Sequence, residues 1–146
     1  MEQSNQEIIQ ELLQEFKIHR ASIMQMIKDL EEIKQHIDRL IPKNLDARYA
    51  RFFEEKVKTI TELFKTLLEM RKEIQKSLKE EIDLRRKINI EDSDEDIEKM
   101  IDIRGLAEKV QTFQDKRKKI REESIDVAQK ETDRIAREIV TVQESG

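Results

Sequence analysis

The two histidines and their neighbouring glutamates are the residues of this chain with the clearest metal-binding chemistry. Each histidine follows a glutamate by four residues, at Glu15/His19 and at Glu32/His36. Di-iron sites in helical bundles use a Glu-x-x-His spacing of three, with further glutamates pointing inward from facing helices. The spacing here is one residue longer and the sequence supplies no inward glutamate pairs, so we predict no metal and no cofactor.

Adjacent glutamates are the next candidates, because all-α nucleotide pyrophosphohydrolases hold Mg²⁺ with Glu-Glu-x-x-Glu motifs. The pairs Glu54-Glu55, Glu80-Glu81 and Glu122-Glu123 lack the third glutamate at that spacing. The sequence also has no glycine-rich phosphate loop and no H-E-x-x-H motif. We therefore predict no catalytic residue, no small-molecule substrate and a protein that is not an enzyme.

Clustered cations suggest a contact with phosphates, as in a nucleic-acid-binding protein. Residues 43–87 carry 13 Lys/Arg against 9 Asp/Glu, which describes a broad and weakly basic surface. Acidic residues flank the sharpest run, so a solvated helix face is the interpretation that we favour for it. That run consists of Lys116, Arg117, Lys118, Lys119 and Arg121.

An acidic stretch lies at residues 91–98, with six acids and no base. Carboxylates at the start of a helix complement the helix dipole, which is the simpler explanation. The alternative is an acidic tip that binds a partner. Its residues are Glu91, Asp92, Asp94, Glu95 and Asp96.

The overall composition indicates long helices. Of 146 residues, 42% are charged and 36% hydrophobic, with two glycines, one proline and no cysteine. This leaves too little turn chemistry for a β-sandwich or barrel and excludes disulfide frameworks and cysteine–zinc sites. No apolar run approaches the ~18 residues of a membrane span, and no secretory signal is evident. We therefore expect a cytoplasmic protein of the coiled-coil type.

Helix 1 is predicted over residues 5–40, with Ser4 and Glu7 forming a capping box. Five heptads follow, and nine of their ten a and d residues are apolar. The exception, His19, is expected to mark the helix register or to lie at an interface, and His36 is expected at the surface. The a residues are Ile9, Phe16, Ile23, Leu30 and Ile37; the d residues are Leu12, His19, Met26, Ile33 and Leu40.

Helix 2 is predicted over residues 45–88, after a break at Pro42 and with Asn44 as its N-cap. Three charged residues interrupt its seam, namely Arg71, Glu81 and Arg85, so we expect a thinner core toward its end. The apolar seam consists of Phe53, Val57, Ile60, Phe64, Leu67, Ile74, Leu78 and Ile88.

Helix 3 is predicted over residues 94–142, after a break at 89–93 and with Ser93 as its N-cap. Arg117 and Ser124 occupy seam positions, and the seam resumes at Ala128 after a phase slip. Gly105 lies inside this helix, where close packing or simple tolerance is favoured over a hinge. The apolar seam residues are Ile97, Met100, Ile103, Leu106, Val110, Phe113, Ile120, Val127, Ala128, Ile135, Ile139 and Val142.

The predicted fold is therefore all-α, a single domain over residues 1–146. Three long helices form an antiparallel, elongated, coiled-coil-like bundle. Because helix 1 is the shortest, we expect it to reach only residues 77–80 of helix 2. The hairpin of helices 2 and 3 is then expected to project beyond it as a bare two-helix arm.

The expected function is protein–protein interaction, as a scaffold or adaptor that associates with itself or with another helical protein. Helix 3 offers little apolar cover near residues 116–124, so helices 1 and 2 should leave an uncovered patch that favours a homodimer. Its residues are Ile18, Met24, Ile27 and Leu68. A nucleic-acid-binding accessory protein is the alternative, and a peripheral membrane bundle is a weaker one.

Overall fold

A computed structural model describes residues 3–43, 46–88 and 92–145 of the chain. About 94% of these residues are helical, and none of them lies in a β-strand. The all-α class is therefore confirmed. It follows from continuous helical periodicity in a chain with almost no glycine or proline.

The first two helices lie where the sequence predicts them. Helix α1 covers Asn5–Leu40, and a 3₁₀ turn at Ile41–Lys43 continues it. Its capping serine is confirmed, because the backbone N–H of Glu7 donates to Ser4 Oγ at 3.3 Å. Helix α2 covers Ala47–Lys87. The expected cap Asn44 lies outside the described residues.

The apolar seam of α1 is also confirmed. All five a residues are buried, as are His19, Met26 and Ile33 among the d residues, while Leu12 and Leu40 are half-buried. A stripe that repeats every 3.5 residues stays on one face of a helix. The whole length of α1 therefore turns one apolar face toward other helices.

The prediction of one continuous helix 3 is wrong. A first helix, α3, covers Asp94–Met100 and is capped by Ser93, whose Oγ accepts from the backbone N–H of Asp96 at 3.2 Å. At Ile101 the backbone is extended, with φ −134° and ψ 133°, which ends this helix. Helix α4 then covers Ile103–Ile120. The expected break residues 89–91 lie outside the described part of the chain.

Asp102 and Gly105 explain this break. The Asp102 carboxylate accepts from the backbone N–H of Gly105 at 3.0 Å, so Asp102 caps α4. Gly105 therefore lies in the first turn of a helix and not in the interior that the sequence suggested. A Cβ at this position would lie 2.4 Å from Asp102 Oδ2, so the glycine gives the capping carboxylate room.

The phase slip is located at a π-helical turn at Arg121–Ile125, after which α5 covers Asp126–Ser145. Phe113 and Ile125 are both buried although they are twelve residues apart. Eleven residues make about three α-helical turns, so a twelfth would rotate Ile125 by roughly 100° away. The π turn absorbs the extra residue.

This turn changes which residues form the seam. Ile125 is buried in place of the expected Ser124, and Thr132 and Ile135 continue the buried face. Val127 and Val142, which were expected on the seam, follow the turn and are exposed instead. Met100, also expected on the seam, is exposed at the end of α3, before the break at Ile101. The sequence showed that the phase slips but not the residue at which the helix absorbs it.

The chain divides into two compact units. The first unit comprises Met1–Ile23 and Glu69–Arg117, and the second comprises Met24–Leu68 and Lys118–Gly146. A buried cluster forms the core of the first unit: Ile9, Leu13, Phe16, Ile97, Ile101, Val110 and Phe113. Buried residues of the second unit include Met26, Leu30, Ile33, Ile37, Tyr49, Phe53, Ile60, Leu67, Ile125, Ala128, Ile135 and Ile139.

The expected bare arm of helices 2 and 3 is wrong. In the first unit the start of α1 packs on this region, because Ile9 and Leu13 share a core with Ile97 and Ile101. The backbone N–H of Asn5 also donates to Asp94 Oδ1 at 3.0 Å. The expectation let α1 reach only residues 77–80 of α2, and this is wrong. Leu84 and Ile88 near the end of α2 pack against the same cluster as Ile9 and Leu13.

We expect deletion of Glu122 to be tolerated. It removes the extra residue of the π turn and lets a regular α-helix keep both Phe113 and Ile125 buried. The free energy of unfolding, measured by urea denaturation, should change by less than about 1 kcal/mol. Deletion of exposed Lys130 is the control, since it rotates Thr132, Ile135 and Ile139 outward and should cost more than about 4 kcal/mol. Equal losses in the two variants would contradict this account of the turn.

Candidate interaction surfaces and buried polar sites

His19 is buried in the core of the first unit. It lies on α1, 1% exposed, and stacks on Phe113 of α4 with ring centroids 4.5 Å apart and planes 11° apart. Neither imidazole nitrogen has a hydrogen-bond partner within the described structure. The described residues also contain no group of three or more potential metal ligands. His19 therefore packs as a flat aromatic ring.

The surroundings of His19 disfavour its charged form. Burial, and after it the positive charges of Arg117 and Lys116, lowers the pKa of His19 to about 4. Glu15, the nearest carboxylate in sequence, accepts from Gln114 Nε2 at 2.9 Å and makes no hydrogen bond with the imidazole. His19 is therefore neutral at physiological pH.

Glu81 forms a buried ion-pair cluster in the first unit. It is 7% exposed, and its two carboxylate oxygens face Arg20 Nη1 at 3.4 Å and Arg85 Nη2 at 3.1 Å. The sequence suggested that Glu81 and Arg85 thin the core, whereas the carboxylate is taken into it together with two cations. Both oxygens of the Glu81 carboxylate are therefore engaged in ion pairs, as a buried charge requires.

The basic run is only partly available at the surface. Lys116, Lys118 and Lys119 are exposed. Arg117 is half-buried, and its Nη1 atom is buried with no hydrogen-bond partner among the described residues. Arg121 Nη1 lies 2.6 Å from Asp29 Oδ2 within the second unit. Two of the five expected phosphate-contacting cations are thus turned toward the protein.

The acidic stretch has structural partners of its own. Asp94 caps the start of α1 by accepting from the backbone N–H of Asn5, where a carboxylate also complements the helix dipole. Glu95 lies 3.6 Å from Lys99, and Asp92 is half-buried and also has an interaction partner. Asp96 is exposed. Glu91, also expected at an acidic tip, lies outside the described residues.

Three of the four expected interface residues have exposed side chains. Met24 and Leu68, both in the second unit, are 48% and 43% exposed. Ile18, in the first unit, is also exposed, while Ile27 is half-buried. His36, expected at the surface, is half-buried with Nδ1 3.8 Å from Asp133 Oδ1.

Two grooves of about 390 and 620 Å³ lie on the first unit beside the break between α3 and α4. The smaller is lined by Glu80, Asp83 and Asp102 together with Lys87 and Lys109. Lys109 Nζ lies 3.6 Å from Glu80 Oε2, so opposite charges already pair there. Neither lining contains a histidine or a hydroxyl side chain, and both combine lysine and carboxylate side chains with apolar side chains.

Comparison with known proteins gives no family for this chain. It matches no protein-family model, no curated protein and no solved structure. No helix in the described ranges is long and apolar enough to cross a bilayer. Any functional inference therefore rests on the surfaces and buried groups of the chain itself.

We expect the first unit to lose stability as the pH falls. The pKa of His19 is about 6.5 when unfolded and about 4 when folded, so the unfolded state takes up the proton first. The free energy of unfolding is therefore unaffected by His19 above pH 6.5. It falls between pH 6.5 and pH 4, by roughly 3 kcal/mol in all. Urea unfolding of the wild type and of His19→Phe should show this difference growing between pH 6.5 and 4.

A direct measurement checks the same claim. In His36→Gln the only imidazole left is that of His19, so its NMR chemical shift can be followed through a pH titration without ambiguity. A midpoint near 4 agrees with the buried, unpartnered ring. A midpoint near 6.5 would show that His19 is solvated.

Proposed function

We propose that this protein is a non-enzymatic interaction module, acting as a cytoplasmic scaffold or adaptor that self-associates through the second unit. The observation that carries this proposal is the exposure of Met24 and Leu68 in the second unit, where Ile27 and Phe64 are half-buried. These four residues form what we call the apolar strip. A homodimer is the favoured assembly, and another helical protein is the alternative partner.

Helical spacing supports a shared face for each pair of strip residues. Met24 and Ile27 are three residues apart on α1, and Phe64 and Leu68 are four residues apart on α2, so the members of each pair are neighbours on the helix surface. In the same unit, α5 contributes small side chains to the buried set, among them Ala128 and Thr132. The same helix also buries the larger Ile135 and Ile139, whereas Met24 of α1 and Leu68 of α2 remain exposed.

A second copy offers suitable cover for this strip. An isologous contact pairs the same residues twice about a two-fold axis, so each apolar side chain counts twice. Burying one leucine or methionine side chain stabilises a complex by about 1.5–3 kcal/mol. Met24 and Leu68 are the two exposed side chains of the strip, so a two-fold contact would bury four of them.

The proposed arrangement of the helices is the antiparallel three-helix bundle expected from the sequence. In the first unit Asn5 contacts Asp94 and Glu15 contacts Gln114. In the second unit Asp29 contacts Arg121 and His36 contacts Asp133. Within each unit the residue numbers rise together, which supports a parallel course of α1 and the C-terminal helices. The short link at 41–46 then favours α2 running the opposite way.

The buried polar groups support a role without catalysis. His19 is sealed by Phe113, and both oxygens of the Glu81 carboxylate already face arginines. Groups that perform general acid–base chemistry need access to a substrate proton. His19 and Glu81, the buried ionisable side chains described in the first unit, therefore contact other side chains of its core, and neither of them is open to a substrate.

We expect Leu68→Glu and Met24→Glu to dissociate the dimer. Each places a carboxylate in the apolar strip and so lowers the binding free energy of the dimer. The dissociation constant should rise by at least tenfold, which corresponds to about 1.4 kcal/mol of binding free energy. Light scattering coupled to size exclusion, at tens of micromolar, should give a dimer mass for the wild type and a monomer mass for both variants.

Ile82→Glu is the matched control, because Ile82 lies on the same helix α2, is 49% exposed and belongs to the first unit. This variant should remain a dimer. A wild type that is monomeric at these concentrations rejects self-association. A dimer that survives both strip variants places the interface elsewhere.

A further inference from the structure

Helix α2 carries an exposed basic face within the first unit. Five cations form this face, and all of them are exposed: Arg71, Lys72, Lys76, Lys79 and Arg86. Among the described residues, none of the five has an ion pair with a carboxylate. We call this set the basic face.

The neighbouring acids of α2 explain why the basic face keeps its charge. Glu81 is buried between Arg20 and Arg85. Glu80 faces Lys109 of α4, 3.6 Å away. Of the acids between residues 71 and 86, only Glu73 and Asp83 have no such partner in the described structure. The fold therefore makes this surface more basic than the sequence composition of α2 suggests.

The geometry of the basic face is linear. Lys72, Lys79 and Arg86 recur every seven residues, and seven residues advance a helix by nearly two turns, so these side chains leave the helix on one line. Lys76 lies about 40° to one side of Lys72, at roughly 100° per residue. Arg71 lies about 100° to the other side and is therefore not part of the line. The exposed Asp83 lies about 20° from Lys72, so the line carries one carboxylate among its cations. The line from Lys72 to Arg86 is about 21 Å long at 1.5 Å per residue.

We propose that this basic face binds the phosphodiester backbone of a duplex nucleic acid. A straight row of lysine and arginine side chains matches a linear polyanion, whose phosphates they neutralise with release of counterions. The contact concerns the backbone and carries no base readout, since the row presents no asparagine or glutamine pair aimed at a groove. The proposal is independent of self-association, because the apolar strip belongs to the second unit.

A membrane surface is a poorer fit to this face. Helices that lie in a bilayer interface bury an apolar face flanked by cations. The line itself holds Lys72, Lys79, Asp83 and Arg86. Ile82 lies about 40° to the side of Arg86 and is the only exposed large hydrophobic side chain among the described residues 69–87. A row of cations without an apolar centre favours a ligand that stays in water.

The run at residues 116–121 is the competing phosphate site. Arg121 is held by Asp29, and Arg117 is turned inward. Only three exposed lysines remain there, and Lys118 leaves the helix about 200° from Lys116. The structure therefore favours the basic face of α2 over the run that is most conspicuous in the sequence.

The test measures the salt dependence of binding to fluorescent DNA and RNA duplexes of the same sequence. Four phosphates neutralised by Lys72, Lys76, Lys79 and Arg86 predict a slope of log K against log [salt] of about −4 for DNA. The variant Lys72→Gln/Lys76→Gln/Lys79→Gln should reduce that slope by about 3 and weaken binding at low salt by at least about tenfold. Binding in either arm supports the proposal, and the stronger arm identifies the duplex.

The matched control is Lys116→Gln/Lys118→Gln/Lys119→Gln, which removes the same charge from exposed helical positions. It should keep the salt slope of the wild type and bind more tightly than the triple variant of the basic face. Because both triples lose the same net charge, the difference between them reports the position of the lost lysines. An equal loss in the two triples overturns the proposal, and so does the absence of duplex binding at 50 mM salt. Tighter binding to phosphatidylserine vesicles or to polyglutamate than to either duplex also overturns it.

Discussion

The fold depends on one constraint: the apolar stripe of each long helix has to meet other apolar side chains along its whole length. In α1 the stripe repeats with a period close to that of the helix, so a single straight helix satisfies it. In the C-terminal part of the chain the apolar residues do not keep one helical phase. The backbone departs there from a regular α-helix, so that these residues stay on the buried side. The extended residue Ile101 and the π turn at Arg121–Ile125 are the two places where this happens.

Local signals predicted α1 and α2 well, because capping serines, a proline break and heptads act over a few residues. They failed for helix 3, since a break at Ile101 and Asp102 depends on which side chains of α1 need cover. Ile9 and Leu13 pack with Ile97 and Ile101, a contact between residues far apart in the sequence. Helix lengths calculated at about 1.5 Å per residue describe straight rods, so they do not predict the break at Ile101 and Asp102.

The charged residues also show the difference between what the local sequence predicts and what depends on contacts between distant residues. Their positions predicted candidate surfaces, but the pairing that decides which charges remain free is tertiary. Glu81 looked like a flaw in the seam and is a buried partner of Arg20, while Arg121 looked free and is held by Asp29. The exposure of Met24 and Leu68 followed from their positions off the seam, which is a local property of the helix. Residues facing outward are therefore easier to predict than residues that pair.

The most direct test of this account is backbone hydrogen exchange along α1. If α3 and α4 cover the start of this helix, amides of residues 9–16 should be protected to within about tenfold of those at residues 26–37. Slow exchange at both stretches, together with protection at Ile97 and Val110, agrees with a stripe that is covered from end to end. Rapid exchange at residues 9–16, with slow exchange confined to residues 26–37, would contradict it.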